Sequence, residues 1–143
     1  MLFRSYILDS LLGSRADVVL AVDALNLPAA AGSRHDLVTA DRRYSGDYLD
    51  DAPAHLVGMA AGEAASADTA GEWMGLARLS PQGAAWVREE IALLEAEGLL
   101  ASADLPLLFT RLAAKHPVRI KYFTGHWMDV NTLRDLAEAR DFA

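Results

Sequence analysis

The sequence predicts an α/β fold in which strands alternate with helices along a single domain, residues 1–143. Val18 to Val22 is a continuous apolar run between two aspartates, which is typical of a strand covered on both faces. Ser80-Pro81 is a strong helix start, and Gly98 is well placed to end that helix. Val118 to Phe123 alternates and is rich in β-formers, so it is predicted as a half-buried strand. Alternating strands and helices favour a sheet with crossover connections.

The first half of the chain is predicted to contain one helix and three strands. Phe3 to Leu12 has apolar residues at helical spacing and ends near Gly13. Leu37 to Ala40 and His55 to Ala60 follow Val18 to Val22 as predicted strands. The segments between them are rich in small, acidic or turn-forming residues, and surface loops are expected at 26–35, 41–53 and 61–70.

The second half is predicted to contain two strands and three helices. The strands are Glu72 to Leu79 and Val118 to Phe123, and the helices are Pro81 to about Glu97, Leu105 to Lys115, and Thr132 toward Phe142. Thr132-Leu133-Arg134-Asp135 fits a capping box, which predicts where the last helix begins. The buried stripe of the first helix is expected to consist of Trp86, Val87, Ile91 and Leu94. Acids of that helix, among them Glu89, Glu90 and Glu97, are expected on its solvated face.

Composition predicts a globular protein with a sizeable core, because 52% of the residues are hydrophobic. The formal charge of −7 and the pI near 4.9 argue against sequence-independent nucleic-acid binding and against attraction to anionic membranes. The chain has no cysteine, which excludes a disulfide framework and a thiolate zinc site. No apolar run reaches the roughly 18 residues of a spanning helix, and no signal-peptide pattern is present. A cytoplasmic location is expected by default.

The segment from Gly125 to Thr132 carries the strongest functional signal. It sets Asp129 between a predicted strand and a predicted helix, in the crevice where open α/β sheets place ligands. A lone acid at this position is ambiguous, because Asp also serves as a cap or turn residue in many loops. The alternative to a role in ligand binding is an acid that only favours the positive end of the helix dipole.

Five blocks of sequence, taken in order, resemble the C-terminal part of a nucleotidyltransferase domain. The blocks are Leu2 to Leu8, Asp17 to Asp23, Asp36 to Asp41, Gly71 to Leu76 and Gly125 to Thr132. The resemblance is to the cytidylyltransferase type associated with phosphoenolpyruvate mutase in phosphonate biosynthesis. It implies an incomplete Rossmann-like (GT-A-like) three-layer sheet that lacks the N-terminal nucleotide-binding strands.

The resemblance also implies the chemistry. In that family the last block supplies one of two carboxylates that hold a catalytic Mg²⁺, which makes Asp129 the metal ligand here. Met1 to Arg4 resembles the family just past the other metal-binding Asp. The sequence has no Gly-x-Gly-x-x-Arg phosphate loop and no Pro-Lys pair, so the chain is expected to be a fragment with little or no activity alone.

The implied parent activity is cytidylyl transfer from CTP to a small phosphonate or phosphate alcohol. A phosphocholine or sugar-phosphate acceptor remains an alternative, because related domains use them. A second alternative is a non-enzymatic interaction module or remnant with an exposed sheet edge. Expected partners are the nucleotide and acceptor of the complete enzyme and a complementing chain or a second copy, with no nucleic acid and no membrane.

Five residues are candidate substrate contacts. His126 is expected either near the phosphates or only as a loop residue, and Asn131 either orients a phosphate or Asp129 or caps the last helix. Lys121, which shares a strand face with Arg119, offers a cation to the acceptor, although such residues are often only solvated. Glu72 is a candidate for an amino or hydroxyl group of the acceptor, and Trp73 is a candidate cover for it. The alternative for Glu72 and Trp73 is a bulged strand with the indole buried.

Overall fold

The computed structural model describes residues 2–25, 35–47, 49–62, 64–125 and 127–128, together with the single positions 133, 137 and 139. The helices and strands, numbered in chain order, are β1 (Leu2–Phe3), α1 (Ser5–Leu12), β2 (Val18–Asp23), β3 (His35–Ala40), β4 (Ala54–Gly62), β5 (Gly71–Leu79), α2 (Pro81–Ala96), α3 (Leu105–Ala113), β6 (Val118–Phe123) and β7 (Trp127–Met128). The predicted helix from Thr132 toward Phe142 lies almost entirely outside the described residues. Within them, no helix combines the length and apolar character needed to cross a bilayer.

Five strands form a closed barrel in the order β2-β5-β3-β4-β6, with β6 returning to pair with β2. The β2–β6 pair is parallel, whereas the other four neighbouring pairs are antiparallel. Strands β1 and β7 form a separate antiparallel ribbon. The fold is therefore a small mixed barrel with three described helices.

The predicted three-layer Rossmann-like sheet is wrong. That architecture needs helical crossovers between successive parallel strands. In the described part of the chain, the links from β3 to β4 and from β4 to β5 contain no helix, and both pairs of strands that involve β3 are antiparallel. One helical connection, α2 and α3, carries the chain from β5 to β6 and sets β6 parallel to β2.

Strand β2 separates two apolar clusters, and all six of its residues are buried. Val18, Leu20 and Val22 pack in the inner cluster, which extends to Trp73 and to Phe109 of α3. The alternate residues of β2 pack outward against α1 in a second cluster of Ile7, Leu11, Val19, Ala21, Met74 and Phe123. The prediction that this strand is covered on both faces is confirmed.

Helix α2 begins and ends as predicted, but its buried face differs. The Ser80 hydroxyl accepts a hydrogen bond from the Gly83 amide at 3.0 Å, and Gly98 takes a positive φ of 72° just after the helix. Ile91, however, is 37% exposed, while Glu90 is 2% exposed. The prediction of a solvated Glu90 is wrong because α2 packs on α3 partly through an ion pair.

Candidate functional site

Asp23 anchors the turn between β6 and β7. It ends β2, is fully buried, and its Oδ2 accepts a hydrogen bond from Trp127 Nε1 at 2.7 Å. Its Oδ1 accepts from the amides of Leu25 at 2.9 Å and Gly125 at 3.3 Å. These N–H donors satisfy the hydrogen-bonding capacity of both oxygens of the buried side chain. Asp23 therefore fixes the segment on both sides of residue 126.

The ribbon formed by β1 and β7 joins two distant parts of the sequence. Leu2 lies opposite Met128, and Phe3 lies opposite Trp127. Because the strands are antiparallel, the chain enters β1 at the same end of the ribbon at which it leaves β7. Leu2 and Met128 are therefore the neighbouring residues at this end of the ribbon.

Glu72 lies beside Asp23 in the barrel, since the two residues are partners in the β2–β5 register. Its Oε1 is 2.7 Å from His35 Nδ1 on β3. Burial raises the pKa of Glu72, His35 opposes that rise, and the negative charges of Asp23 and Asp36 add to it. The result is a histidine–carboxylate pair in an acidic surrounding, an arrangement that can accept or release a proton.

Trp73 points into the barrel, on the opposite face of β5 from Glu72. It is 8% exposed and packs edge-on against Phe109, with ring centroids 5.3 Å apart. Its Nε1 donates to the Leu76 carbonyl at 3.0 Å. Nearby, Gly75 takes a φ of 73°, and the β2–β5 register shifts between Leu20 and Val22. These contacts give Trp73 a packing role in a bulged strand, and its contact with a substrate stays a prediction.

Lys121 lies on the outer face of the barrel and reaches α1. Its Nζ donates to the Ser10 carbonyl at 2.7 Å and to the Ser10 hydroxyl at 2.8 Å. Burial lowers the pKa of Lys121, and the neighbouring Arg119 lowers it further. The expectation that Lys121 and Arg119 share a face agrees with the alternating burial of β6. Lys121 and Glu72 thus contact different elements, α1 and β3 respectively.

The remaining predicted site residues, Asp129, His126 and Asn131, lie outside the described residues. Within the described part of the chain, no group of three or more His, Asp or Glu side chains is arranged to hold a metal ion. The predicted Mg²⁺ site therefore stays a prediction.

Sequence reasoning did not select Asp23 as a site residue, and it did not identify the hydrogen-bond partners of Asp23. An aspartate at the end of a fully apolar strand is a signal, but the bond to Trp127 joins residues 104 positions apart. The approach of His35 to Glu72 likewise depends on the pairing of β3 with β5.

The resemblance to cytidylyltransferases depends on the ordered sequence blocks. In the structure, Trp127 donates a hydrogen bond to Asp23, and the β1–β7 ribbon joins the first of these blocks to the last. No protein-family model matches this chain, and no curated protein matches it.

Proposed function

We propose that this chain forms the acceptor side of a magnesium-dependent nucleotidyltransferase. In the reaction, an oxygen of a small phosphonate or phosphate alcohol attacks the α-phosphorus of CTP, a new P–O bond forms, and pyrophosphate leaves. Mg²⁺ would neutralise charge on the phosphates and favour departure of pyrophosphate. A cytoplasmic location belongs to the same proposal, because CTP is available there.

The single observation that carries the proposal is the register of the β1–β7 ribbon. The resemblance puts one metal-binding carboxylate just before the first residues of this chain and the other at Asp129. Leu2 and Met128, the described neighbours of those two positions, lie opposite each other. This register supports a shared metal site, since two carboxylates must approach within a few ångströms to hold one Mg²⁺.

The turn held by Asp23 supports the proposal in a second way. A metal ligand must be fixed in position for in-line transfer, because small displacements cost large factors in rate. Two hydrogen bonds to Asp23, from the Gly125 amide and Trp127 Nε1, hold the chain just before Asp129.

Complementation tests the proposal. The chain is mixed with a polypeptide that carries a glycine-rich phosphate loop, a Pro-Lys pair and the second metal-binding Asp, and pyrophosphate release from CTP and Mg²⁺ is measured. Two acceptors are tested: 2-aminoethylphosphonate, which represents the phosphonate class, and phosphocholine, which represents the alternative acceptor. We expect release with the wild-type chain and with Asp9→Asn, an exposed acid of α1, and a loss of at least about 100-fold with Asp129→Asn.

Two results would overturn the proposal. One is no pyrophosphate release with any acceptor, and the other is equal release from Asp129→Asn and wild type. Calorimetric titration of the chain alone with CTP and Mg²⁺ is expected to give no heat, since no phosphate-loop motif is present in the 143 residues.

A second candidate function is that of a non-enzymatic interaction module. Helix α1 presents exposed apolar side chains, with Tyr6 at 45%, Leu8 at 43% and Leu12 at 60%. An exposed apolar face of this kind favours association. The barrel strands each have two neighbours, so the expected free sheet edge is not found among them. Sedimentation of wild type against Leu8→Lys/Leu12→Lys tests this candidate, and identical monomeric profiles would remove it.

A further inference from the structure

A cavity of about 520 Å³ lies where the end of α1, the loop before β4 and strand β6 meet. Arg119 and Lys121 line it from β6, Ser10 lines it from α1, and Tyr44 and Asp51 line it from the loop. Its described lining belongs to α1, the loop before β4, the start of β4 and β6, and contains no residue of the β1–β7 ribbon.

Two positive side chains lie side by side in this cavity. Arg119 and Lys121 are two positions apart on β6, so both project from the outer face of the barrel, roughly 7 Å apart at their Cα atoms. The inner face of the same strand carries Val118 and Ile120, which belong to the barrel core. Two neighbouring cations repel each other unless an anion lies between them.

Arg119 has a buried N–H group without a partner. Its Nε atom is buried and makes no hydrogen bond to any described residue. Buried polar groups are nearly always hydrogen-bonded, because leaving one unpaired forfeits its interaction with water. The Arg119 side chain lines the cavity, but its Nε has almost no accessible surface, so a ligand in the cavity would contact other atoms of the guanidinium group.

Lys121 is partly satisfied and still has capacity to donate. Two of its three N–H groups are used by the carbonyl and the hydroxyl of Ser10. Neither of these acceptors is a carboxylate, so Ser10 does not neutralise the positive charge. Burial lowers the pKa of Lys121, and the positive charge of Arg119 lowers it further.

The carboxylates near the cavity do not cancel these charges. Asp50 pairs with Arg42, with 2.5 Å between Oδ2 and the guanidinium nitrogen Nη2. Arg119 and Lys121 line the cavity together with Asp50 and Asp51. Since Arg42, which lies outside the lining, pairs with Asp50, Asp51 is the lining carboxylate left to oppose the two cations. The Tyr122 hydroxyl donates to the Arg42 carbonyl at 2.6 Å and holds this loop against β6.

We propose that the cavity is a binding site for a small tetrahedral oxyanion of the phosphate or phosphonate class, held by the Arg119 guanidinium group and the Lys121 ammonium group. Arginine offers a planar set of donors that matches such oxygens, and lysine adds a point charge. Lys121 is also the residue predicted to offer a cation to the acceptor, so this inference rests on the proposed function and deepens it, although binding of the oxyanion itself requires neither a nucleotide nor a metal ion.

Calorimetric titration with inorganic phosphate in a chloride buffer tests the site. Wild type is expected to bind one phosphate saturably, and Arg119→Met and Lys121→Met are expected to weaken binding at least tenfold. Arg88→Met, which changes an exposed arginine on α2, is the matched control and is expected to bind as wild type does. Methylphosphonate and sulfate are titrated alongside, and tighter binding of methylphosphonate than of phosphate would assign the site to the phosphonate class.

Two outcomes would overturn the proposal: no saturable phosphate binding by wild type, or equal affinity for wild type and Arg119→Met. Far-UV circular dichroism and thermal unfolding check that each variant is folded. If Arg119→Met does not fold, the phosphate affinities of Lys121→Met and Arg119→Lys test the proposal instead. Arg119→Lys keeps the positive charge and loses the guanidinium donors. Because no pyrophosphate is measured, failure here is distinguishable from failure of the nucleotidyltransferase proposal.

Discussion

Glu72 and Glu90 are both largely buried glutamates, and their surroundings shift their pKa values in opposite directions. Glu90 is 2% exposed on α2 and accepts hydrogen bonds from Arg111 and, at 2.5 Å, from Lys115 on the neighbouring segment. Burial alone would raise the pKa of Glu90, but these two cations outweigh it and lower the pKa. For Glu72 the effect of burial outweighs that of His35, the negative charges of Asp23 and Asp36 add to it, and the pKa is raised.

The opposite pKa shifts distinguish Glu90, a carboxylate that stabilises the fold, from Glu72, a candidate for proton transfer. Glu90 meets two cations, one of which, Arg111, also holds Glu97 through two hydrogen bonds at 2.6 and 2.7 Å. Such a network locks α2 against α3 and needs no ligand. Glu72 meets a single histidine in an acidic surrounding, and a carboxylate with a raised pKa is better suited to exchanging a proton.

Glu90→Ala should give the largest change in stability. It leaves two cations without their buried partner and removes packed atoms, and we expect a loss of about 2–3 kcal/mol in the free energy of unfolding, measured by urea denaturation. Glu97 still pairs with Arg111, which keeps the loss below that of an isolated buried ion pair. Glu89→Ala, an exposed neighbour, is the control and should stay within about 0.5 kcal/mol of wild type. Equal effects of the two substitutions would contradict the structural role of Glu90.

The pH dependence of Glu90→Gln should be the next largest effect. Because the folded-state pKa lies below the ordinary value of 4.5, the ionised side chain stabilises the fold above pH 4.5. That contribution is lost as the pH falls through the folded-state pKa. At pH 7 we expect the variant to be about 1–2 kcal/mol less stable than wild type, and the gap should close in acid. A gap that stays constant from pH 7 to pH 3 would show that charge is not the cause.

Glu72→Gln is expected to act in the opposite sense. The folded-state pKa is above 4.5, so the fold favours the protonated form, and wild-type stability falls as the pH rises through the window from 4.5 to the folded-state pKa. Glutamine resembles the protonated acid. The variant should therefore be more stable than wild type at pH 7, by about 1 kcal/mol or less, and equal to it in acid. Glu95→Gln, at an exposed position, is the control. A destabilised Glu72→Gln variant would contradict the contrast between Glu72 and Glu90.

Much of the local structure was predictable from sequence, because it depends on neighbours along the chain. The apolar run of β2, the Ser80-Pro81 start of α2 and the alternation that sets Arg119 beside Lys121 all follow from local rules. Closure of the barrel was not predictable in this way, since β2 pairs with β6 about 100 residues later in the sequence. The order of the five barrel strands and of the helices was predicted, but the pairing of those strands did not follow from their order.

The candidate site shows the same division. The faces of β6 were predicted correctly from its period of two residues. The burial of Glu90 in place of Ile91 was missed, because hydropathy assigns a glutamate to solvent and takes no account of cations on another helix. The bond from Trp127 to Asp23 and the unpaired Nε of Arg119 depend on contacts that no local pattern contains.

Arg119→Met should give the smallest change, and its sign sharpens the contrast with Glu90. Methionine keeps most of the apolar stem of arginine, while it removes an unpaired buried N–H and the repulsion between two cations. In phosphate-free buffer we expect a gain of up to about 1 kcal/mol in the free energy of unfolding. In phosphate the gain should shrink or reverse, because only wild type would be stabilised by binding the anion. Arg88→Met is the control, because it removes an arginine from an exposed surface. If Arg119→Met loses stability in phosphate-free buffer and Arg88→Met does not, Arg119 is a structural residue like Glu90.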